Sequence, residues 1–325
     1  CDVIRNPVFL EEKINNQRNV TVQEHRKRSS EPETILMDRI YRTLYCDTPL
    51  ERAVVDDEKI LREIKRAELI ARYHAWYVPS QLIVIGVGPI DIEKVKDIIT
   101  EYFPDAEKKT VSPTAILPTT TESPSGKIII PSTGSKQVHM MAGFRTVSRS
   151  HPDFYPLRVF SMIVGESNNS RFFRKTRGVE GLVYKITSHY DTVRSSQQSV
   201  LRADCTLYHG AIRIYSYFEP GNIRKVENII KGALQDLTEN LVSLEELERS
   251  KRGVVGKHFQ AMQGTHQHMR MLFAAEANNS IEDFFMFEEK IQAINAEDVQ
   301  RVARAYCKPN QGVWAMLKPG NGNQK

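Results

Sequence analysis

An internal repeat restricts this chain more than any other feature. Glu58-Lys59-Ile60, Ile64, Ala67-Glu68, Arg72, Tyr77 and Pro79-Ser80-Gln81 are matched, in order, by Glu289-Lys290-Ile291, Ile294, Ala296-Glu297, Arg301, Tyr306 and Pro309-Asn310-Gln311. A second stretch, Leu10-Glu11-Glu12 through Arg18 and Val20, resembles Leu244-Glu245-Glu246 through Arg252 and Val254. The offsets are 234 residues (Leu10 to Leu244) and 229 residues (Glu68 to Glu297). Two matches in the same order at nearly the same offset indicate a duplication rather than two amphipathic helix pairs alike by chance. Both copies of the first stretch read helix, helix, Pro, strand.

The duplication sets the expected organisation. The second copy starts near residue 126, so an equal first copy would start about 100 residues before Cys1. The expectation is one and a half domains: residues 1–111 as the later half of a first domain, 112–125 as a linker, and 126–325 as a complete second domain. The linker sequence, SPTAILPTTTESPS, carries Pro, Thr and Ser without periodicity.

Within the first part, residues 9–28, the segment after Pro32, Glu58–Ile64, Ala67–Tyr77 and Ile92–Phe103 read as helices. Gln81–Val87, apolar and β-branched, reads as a buried strand. In the second part, strands are expected at Lys127–Ile130, Lys136–Phe144, Leu182–Tyr190, Ser199–Leu207, Ala211–Phe218 and Gly312–Leu317. Helices are expected at 152–164, near Arg171–Arg177, and four or five times across 222–306. Strands and helices in clusters predict an α+β fold, layered, with a largely antiparallel sheet.

Composition narrows the function. With 40% hydrophobic and 26% charged residues among 325, the chain is of ordinary soluble globular make-up. The net charge of +5, from 45 basic and 40 acidic side chains, is spread along the chain, which argues against a nucleic-acid partner. The longest apolar run, Leu82–Gly88, is far short of the roughly 20 residues of a membrane span. Cys1, Cys46, Cys205 and Cys307 form no C-x-x-C pair.

No complete catalytic set is visible: H-E-x-x-H, H-x-x-E-H and G-x-S-x-G are all absent. Gly86-Val87-Gly88 reads as a turn ending a strand. His258, His266 and His268 read as a solvated helical face, since no acidic residue or cysteine completes a metal set around them. Gln17 and Glu24 are seven apart, hence on one helical face, and precede the basic run His25-Arg26-Lys27-Arg28. Taken alone, Arg177 is a helix-end cation and Tyr184 a half-buried strand residue.

A resemblance to a family adds to this. The run Gln17-Arg18-x-Val20-x-Val22-x-Glu24-x-Arg26-x-Arg28, then Pro32, Tyr45 and Pro49-Leu50, is similar to the M16 (pitrilysin/insulinase-type) zinc metallopeptidases. The similarity continues through Ile60, Ile64, Leu69, Trp76-Tyr77-x-Pro79-Ser80, Ile83–Val87 and Tyr102-Phe103. In the second part it takes in Ser170-Arg171-x-Phe173, Arg177, Gly181-Leu182 and Tyr184. It covers essentially the whole chain, and it implies a duplicated M16-type fold.

The resemblance also implies roles. Glu24 stands where the family has its third zinc ligand, roughly 75 residues after the H-x-x-E-H helix, which would fall about 50 residues before Cys1. Gln17 stands where many members carry a Glu supporting that ligand, and a neutral amide there brings no charge. Arg177 and Tyr184 match an Arg/Tyr pair that contacts the bound peptide or its transition-state oxyanion. The implied protein is a Zn2+-dependent endopeptidase of extended or unfolded peptides, represented here without its zinc helix and so inactive and without bound zinc by itself. The other reading is a noncatalytic M16-like structural or peptide-binding subunit. In either case the expected partners are a polypeptide and another M16 chain, in a homo- or hetero-oligomer.

Overall fold

A computed structural model describes residues 2–46, 51, 58–78, 82–103, 124–132, 134–149, 151–191, 210–277 and 280–320. The first part is helical: α1 (Asp2–Arg5), α2 (Glu11–Ser30), α3 (Pro32–Leu44), α4 (Glu58–Glu63), α5 (Arg66–Trp76) and α6 (Ile92–Tyr102). The second part opens with β1 (Gly126–Ser132) and β2 (Val138–Arg145), then α7 (Phe154–Val164), α8 (Arg171–Phe173) and a π-helical turn at Arg174–Val179. It continues with β3 (Val183–Asp191), β4 (Ala211–Phe218), α9 (Ile223–Glu239), α10 (Leu244–Met262), α11 (Thr265–Ala277), α12 (Ile281–Phe285), α13 (Phe287–Gln292), α14 (Ala296–Tyr306) and β5 (Val313–Pro319).

The five strands among the described residues form one sheet in the order β1-β5-β2-β4-β3. Only β1 and β5 run parallel; the other three pairings are antiparallel. Alternation along β2 decides what covers each face. Val138, Met140, Ala142 and Phe144 point into a large core with α7, α9, α10, α13 and α14. Met141 points the other way, into a second core with α3. The architecture is therefore α+β and largely antiparallel, with a helical layer on one face and a single helix from the first part on the other.

The sequence of α3 explains its place. Pro32 occupies the first turn, where its missing N–H costs nothing. Leu36, Ile40 and Leu44 recur every four residues and are at most 1% exposed, with Tyr41 and Tyr45 alongside. Each such aliphatic side chain contributes about 1.5–3 kcal/mol by leaving water. α3 packs on β2 and β5, and Gly143 of β2 leaves room for it: a Cβ there would lie 2.2 Å from Cγ2 of Ile40.

The segments matched in sequence fold alike in their helices but not in their burial. α14 starts from Asn295, which with Asp298 forms a reciprocal capping box, and buries Val299, Val302 and Ala303. Its counterpart α5 buries none of its residues. β5 lies inside the sheet, whereas its counterpart differs from expectation: residues 82–87 form no strand, and Ile83 and Val84 are 40% and 52% exposed. A strand exists only where a neighbour takes its N–H and C=O groups, and 82–87 have no such neighbour among the described residues. The expected strand at Ser199–Leu207, most of the 112–125 linker and the stretches Pro49-Leu50 and Pro79-Ser80-Gln81 lie outside the described residues.

His258 on α10 and His268 on α11 correct the sequence reading, whereas His266 is exposed as that reading has it. His258 is half-buried, its ring stacked on Phe287 at 4.0 Å and 9°, and His268 stacks on Phe284 at 5.9 Å. Burial, then the nearby Arg149 and Arg158, push the His258 pKa down to about 4. The unfolded chain then takes up a proton near pH 6.5 that the folded chain refuses, so stability falls as pH drops from about 6.5 towards 4. Discounted for partial exposure, the effect is about 1 kcal/mol. A His258→Phe variant is expected to show a smaller drop in Tm than the parent between pH 7 and pH 5; equal drops would remove His258 as the cause.

Candidate functional site

The segment from Ser170 to Tyr190 concentrates the irregular backbone of the second part. The Ser170 side chain caps α8, accepting from the Phe173 N–H. Arg171 then anchors the segment: its guanidinium makes a two-pronged bond to Glu246 (2.9 and 2.7 Å) and a third contact to Asp236 (2.6 Å), joining α8 to α10 and α9. Beyond it the helix widens into the π-helical turn, a form that occurs mostly as a single turn and frequently at functional sites. Thr176 returns its hydroxyl to the Phe172 carbonyl, and its own carbonyl receives the Leu182 N–H at 2.7 Å. Gly181, at φ +59°, makes the left-handed step that turns the chain into β3.

A β-bulge follows immediately. Val183 pairs with Phe218 and Lys185 with Tyr217, so Tyr184 is an extra residue opposite no partner. Strict alternation would turn Lys185 towards the helical core with Val183. The bulge instead leaves both Tyr184 and Lys185 exposed, and Ile186 resumes the buried face. Tyr184 stacks on Tyr217 at 5.8 Å, and Tyr217 stacks on His139 of β2 at 5.5 Å. His139 Nδ1 lies 2.8 Å from the Tyr215 hydroxyl, and burial lowers the imidazole pKa. The Tyr184 hydroxyl donates to Glu219 Oε1 at 2.9 Å, a bond that raises the phenol pKa.

Lys185 connects this patch to α3. Its ammonium reaches Glu33 at 3.3 Å and lies 5.1 Å from the centre of the Tyr215 ring. Glu33 also meets Arg213 at 3.3 Å, Arg213 meets Asp191 at 2.5 Å, and the Tyr41 hydroxyl donates to Asp191 at 2.9 Å. Burial works against the charge on Arg213, but Asp191 holds it above the ordinary guanidinium pKa. The surface around Tyr184 is thus tied to the first part of the chain.

The four residues singled out from sequence fall in two places. Arg177 is exposed on the π-helical turn, its guanidinium 5.5 Å from the centre of the Phe173 ring. Tyr184 is 49% exposed at the bulge. No hydrogen bond or ring contact joins the two among the described residues. Gln17 and Glu24 are both exposed on α2, which is held to α4 by Arg26 on Glu58 (2.8 and 2.7 Å) and by Arg18 on the Ile64 carbonyl (2.7 Å). Among the described residues, no group of three or more His, Cys, Asp or Glu stands close enough to hold a metal ion. Glu24 can supply one ligand at most, so the described residues do not by themselves make a zinc site. No described helix is long and apolar enough to cross a membrane.

Sequence reasoning missed Arg171 as an anchor, the Glu219 partner of Tyr184, and the Glu33–Arg213–Asp191–Tyr41 network. The first has a local signal, a helix-start Arg facing acidic helices. The others join residues too far apart in sequence for any spacing rule.

One sheet with a helical layer on one face, and a bulged strand presenting a Tyr beside a π-helical turn, define a layered α+β domain. The sequence model of the Peptidase M16 inactive domain matches residues 63–254, and the chain belongs to the M16 peptidase family. An uncharacterized zinc protease of Mycobacterium bovis is 24% identical over 324 residues, covering 98% of this chain and 70% of that protein. A core protein I of the ubiquinol-cytochrome-c reductase complex of Euglena gracilis is 21% identical, covering 93% of this chain and 64% of that protein. The structure of a protease from Helicobacter pylori superposes with a TM-score of 0.82 at 17% identity, covering 95% of this chain and 72% of that one. An M16 inactive domain from Pseudomonas fluorescens gives a TM-score of 0.80 at 18% identity, covering 99% and 74%.

Proposed function

We propose that this chain is the peptide-holding portion of an M16 zinc endopeptidase that acts on extended or unfolded polypeptides. The observation that carries the reading is the run of π-helical turn, left-handed Gly181 and bulge. Three departures from regular backbone within a dozen residues serve to place Arg177 and Tyr184 at the surface, and regular packing gives no reason for them. Arg177 offers a guanidinium fork to peptide carbonyls, and Tyr184 a phenol on a stacked base. The division into a first half-domain at 1–111, a linker at 112–125 and a second domain at 126–325 belongs to this proposal. In it, Glu24 is one zinc ligand of the complete protein and Gln17 a neutral neighbour on the same helical face. The relatives named zinc proteases support this part.

A second reading, a noncatalytic subunit assembled with another M16 chain, is favoured by the neutral Gln17 and by the relative that is a core protein of the ubiquinol-cytochrome-c reductase complex. Zinc separates the two. In a form of the protein that also carries H-x-x-E-H, one zinc per chain is expected, with affinity falling at least about tenfold in Glu24→Gln; a zinc-free protein would favour the subunit. For the peptide site, anisotropy of fluorescein-labelled, reduced and carboxymethylated α-lactalbumin is expected to show about tenfold weaker binding for Arg177→Ala. Unchanged Kd for both Arg177→Ala and Tyr184→Phe would sink the peptide-holding role.

A further inference from the structure

We propose that Arg149, Arg158 and His258 form a binding site for an organic carboxylate carried on an apolar or aromatic body, using none of the residues around Arg177 and Tyr184. The three come from different elements: Arg149 from the loop after β2, Arg158 from α7 and His258 from α10. A row of rings joins them. The Arg149 guanidinium lies 5.4 Å from the centre of Phe154, and Phe154 meets Tyr155 at 4.9 Å. Tyr155 meets Phe287 at 5.9 Å, and Phe287 carries the stacked His258 ring at 4.0 Å. Arg158 lies three residues beyond Tyr155 and four beyond Phe154, on the same face of α7.

Arg149 is the observation that calls for a ligand. It is partly buried, and burial lowers its guanidinium pKa, yet among the described residues it has no hydrogen bond and no ion pair, only the face of Phe154. Asp283, the carboxylate that acts on it from α12, is paired with Lys290 instead. Arg158 meets Glu166 at 3.4 Å, but Lys257 shares that carboxylate at 3.4 Å. His258 stays neutral near pH 7, because burial and then Arg149 and Arg158 oppose its protonation, so it offers a ring N–H rather than a third charge. Guanidinium forks and a neutral N–H are the complement of a carboxylate. Phe259, 48% exposed and edge-on to His258 at 5.7 Å, and Phe285, 75% exposed beside Phe284, supply an apolar rim for the rest of the ligand.

The repeat gives the position a further meaning. His258 stands 234 residues after Glu24, the offset of the Leu10–Leu244 match. Where the first copy has a carboxylate suited to a cation, the second has an imidazole in the field of two guanidiniums, suited to an anion. The cluster itself does not depend on Glu24 binding zinc.

Histidine ring signals of this chain, followed by NMR during titration with N-acetylphenylalanine, test the site, with N-acetylphenylalaninamide as the uncharged control. The His258 signal, identified by its loss in His258→Phe, is expected to move as the carboxylate binds. The carboxylate should bind at least about tenfold more tightly than the amide. Arg149→Met keeps a long side chain against Phe154 and is expected to weaken carboxylate binding about tenfold. Should that variant unfold, Arg149→Lys, which keeps the charge but not the fork, is expected to lose about threefold. Arg177→Ala should bind the carboxylate as the parent does. Equal binding of carboxylate and amide, or equal affinity in the parent and both Arg149 variants, would overturn the proposal. A loss in Arg177→Ala with none in Arg149→Met would also overturn it, by putting the ligand on the other surface. Inorganic phosphate, which has the charge without the apolar body, should bind more weakly; tighter binding by phosphate would overturn an apolar carboxylate as the ligand.

Discussion

Replacing Gly143 with Val is expected to loosen α3 from the sheet and to cost about 3 kcal/mol of stability, at the upper end for an overpacked core. Gly143 lies in β2, paired with Arg213 on one side and Val313 on the other, so its backbone cannot retreat without disturbing two ladders. A Cβ there would meet Ile40 Cγ2 at 2.2 Å and Leu44 Cδ1 at 3.1 Å. The Ile40 methyl is on a β-branched carbon in a helix, where one rotamer dominates, so it has nowhere to swing. The helix itself must lift, and with it the burial of Leu36, Ile40 and Leu44 is reduced. Urea unfolding should show a lower midpoint, and combining Gly143→Val with Ile40→Ala should recover part of the loss by clearing the space. A midpoint equal to the parent's would mean that α3 does not need this contact.

Asp191→Ala is expected to cost about 3 kcal/mol, the effect of leaving one partner of a buried ion pair uncompensated. The side chains of Asp191 and Arg213 are each only 12% exposed, so water cannot replace the lost carboxylate. Two groups lose it together: the Arg213 guanidinium at 2.5 Å and the buried Tyr41 hydroxyl at 2.9 Å. Glu33, 3.3 Å from Arg213, keeps part of the compensation. Asp191→Asn should be milder, since its amide oxygen still accepts from one of the two donors. The check is the unfolding free energy of both variants together with Tyr41→Phe. An alanine variant within about 0.5 kcal/mol of the parent would show the network to be surface-like and screened.

Much of this was legible in the sequence where the signal is local. The helices α2 to α7 follow from apolar spacing and Pro32, whereas across 222–306 six α-helices, α9 to α14, stand where the sequence predicts four or five. The strands of the sheet follow from β-branched and aromatic runs. The bulge was legible in principle: Val183 and Ile186 are both apolar with two polar residues between, which breaks a period of two. What local pattern does not carry is which face an element covers. The stripe Leu36, Ile40, Leu44 says that α3 is buried, but not that β2 and β5 receive it. Glu33 and Arg213, 180 positions apart, meet only because the fold brings α3 across the sheet. The segment 82–87 shows the opposite limit, a strand pattern whose hydrogen bonds depend on a neighbour. His258 was misread because its cover, Phe287, comes from another helix.

The order of strands has a consequence for how the chain reaches this state. Among the described residues β5 is the last strand in sequence, yet it sits between β1 and β2, and β1 meets the sheet only through it. The first and last strands of the unit therefore close on each other across nearly two hundred intervening residues, the kind of contact whose loop-closure entropy slows folding. During synthesis, β2, β3 and β4 can assemble early while β1 waits, its Ile128, Ile129 and Ile130 without a strand to lie against. The sheet becomes continuous only when Val313–Pro319 emerges and inserts between β1 and β2, which makes β5 the closing step of its assembly.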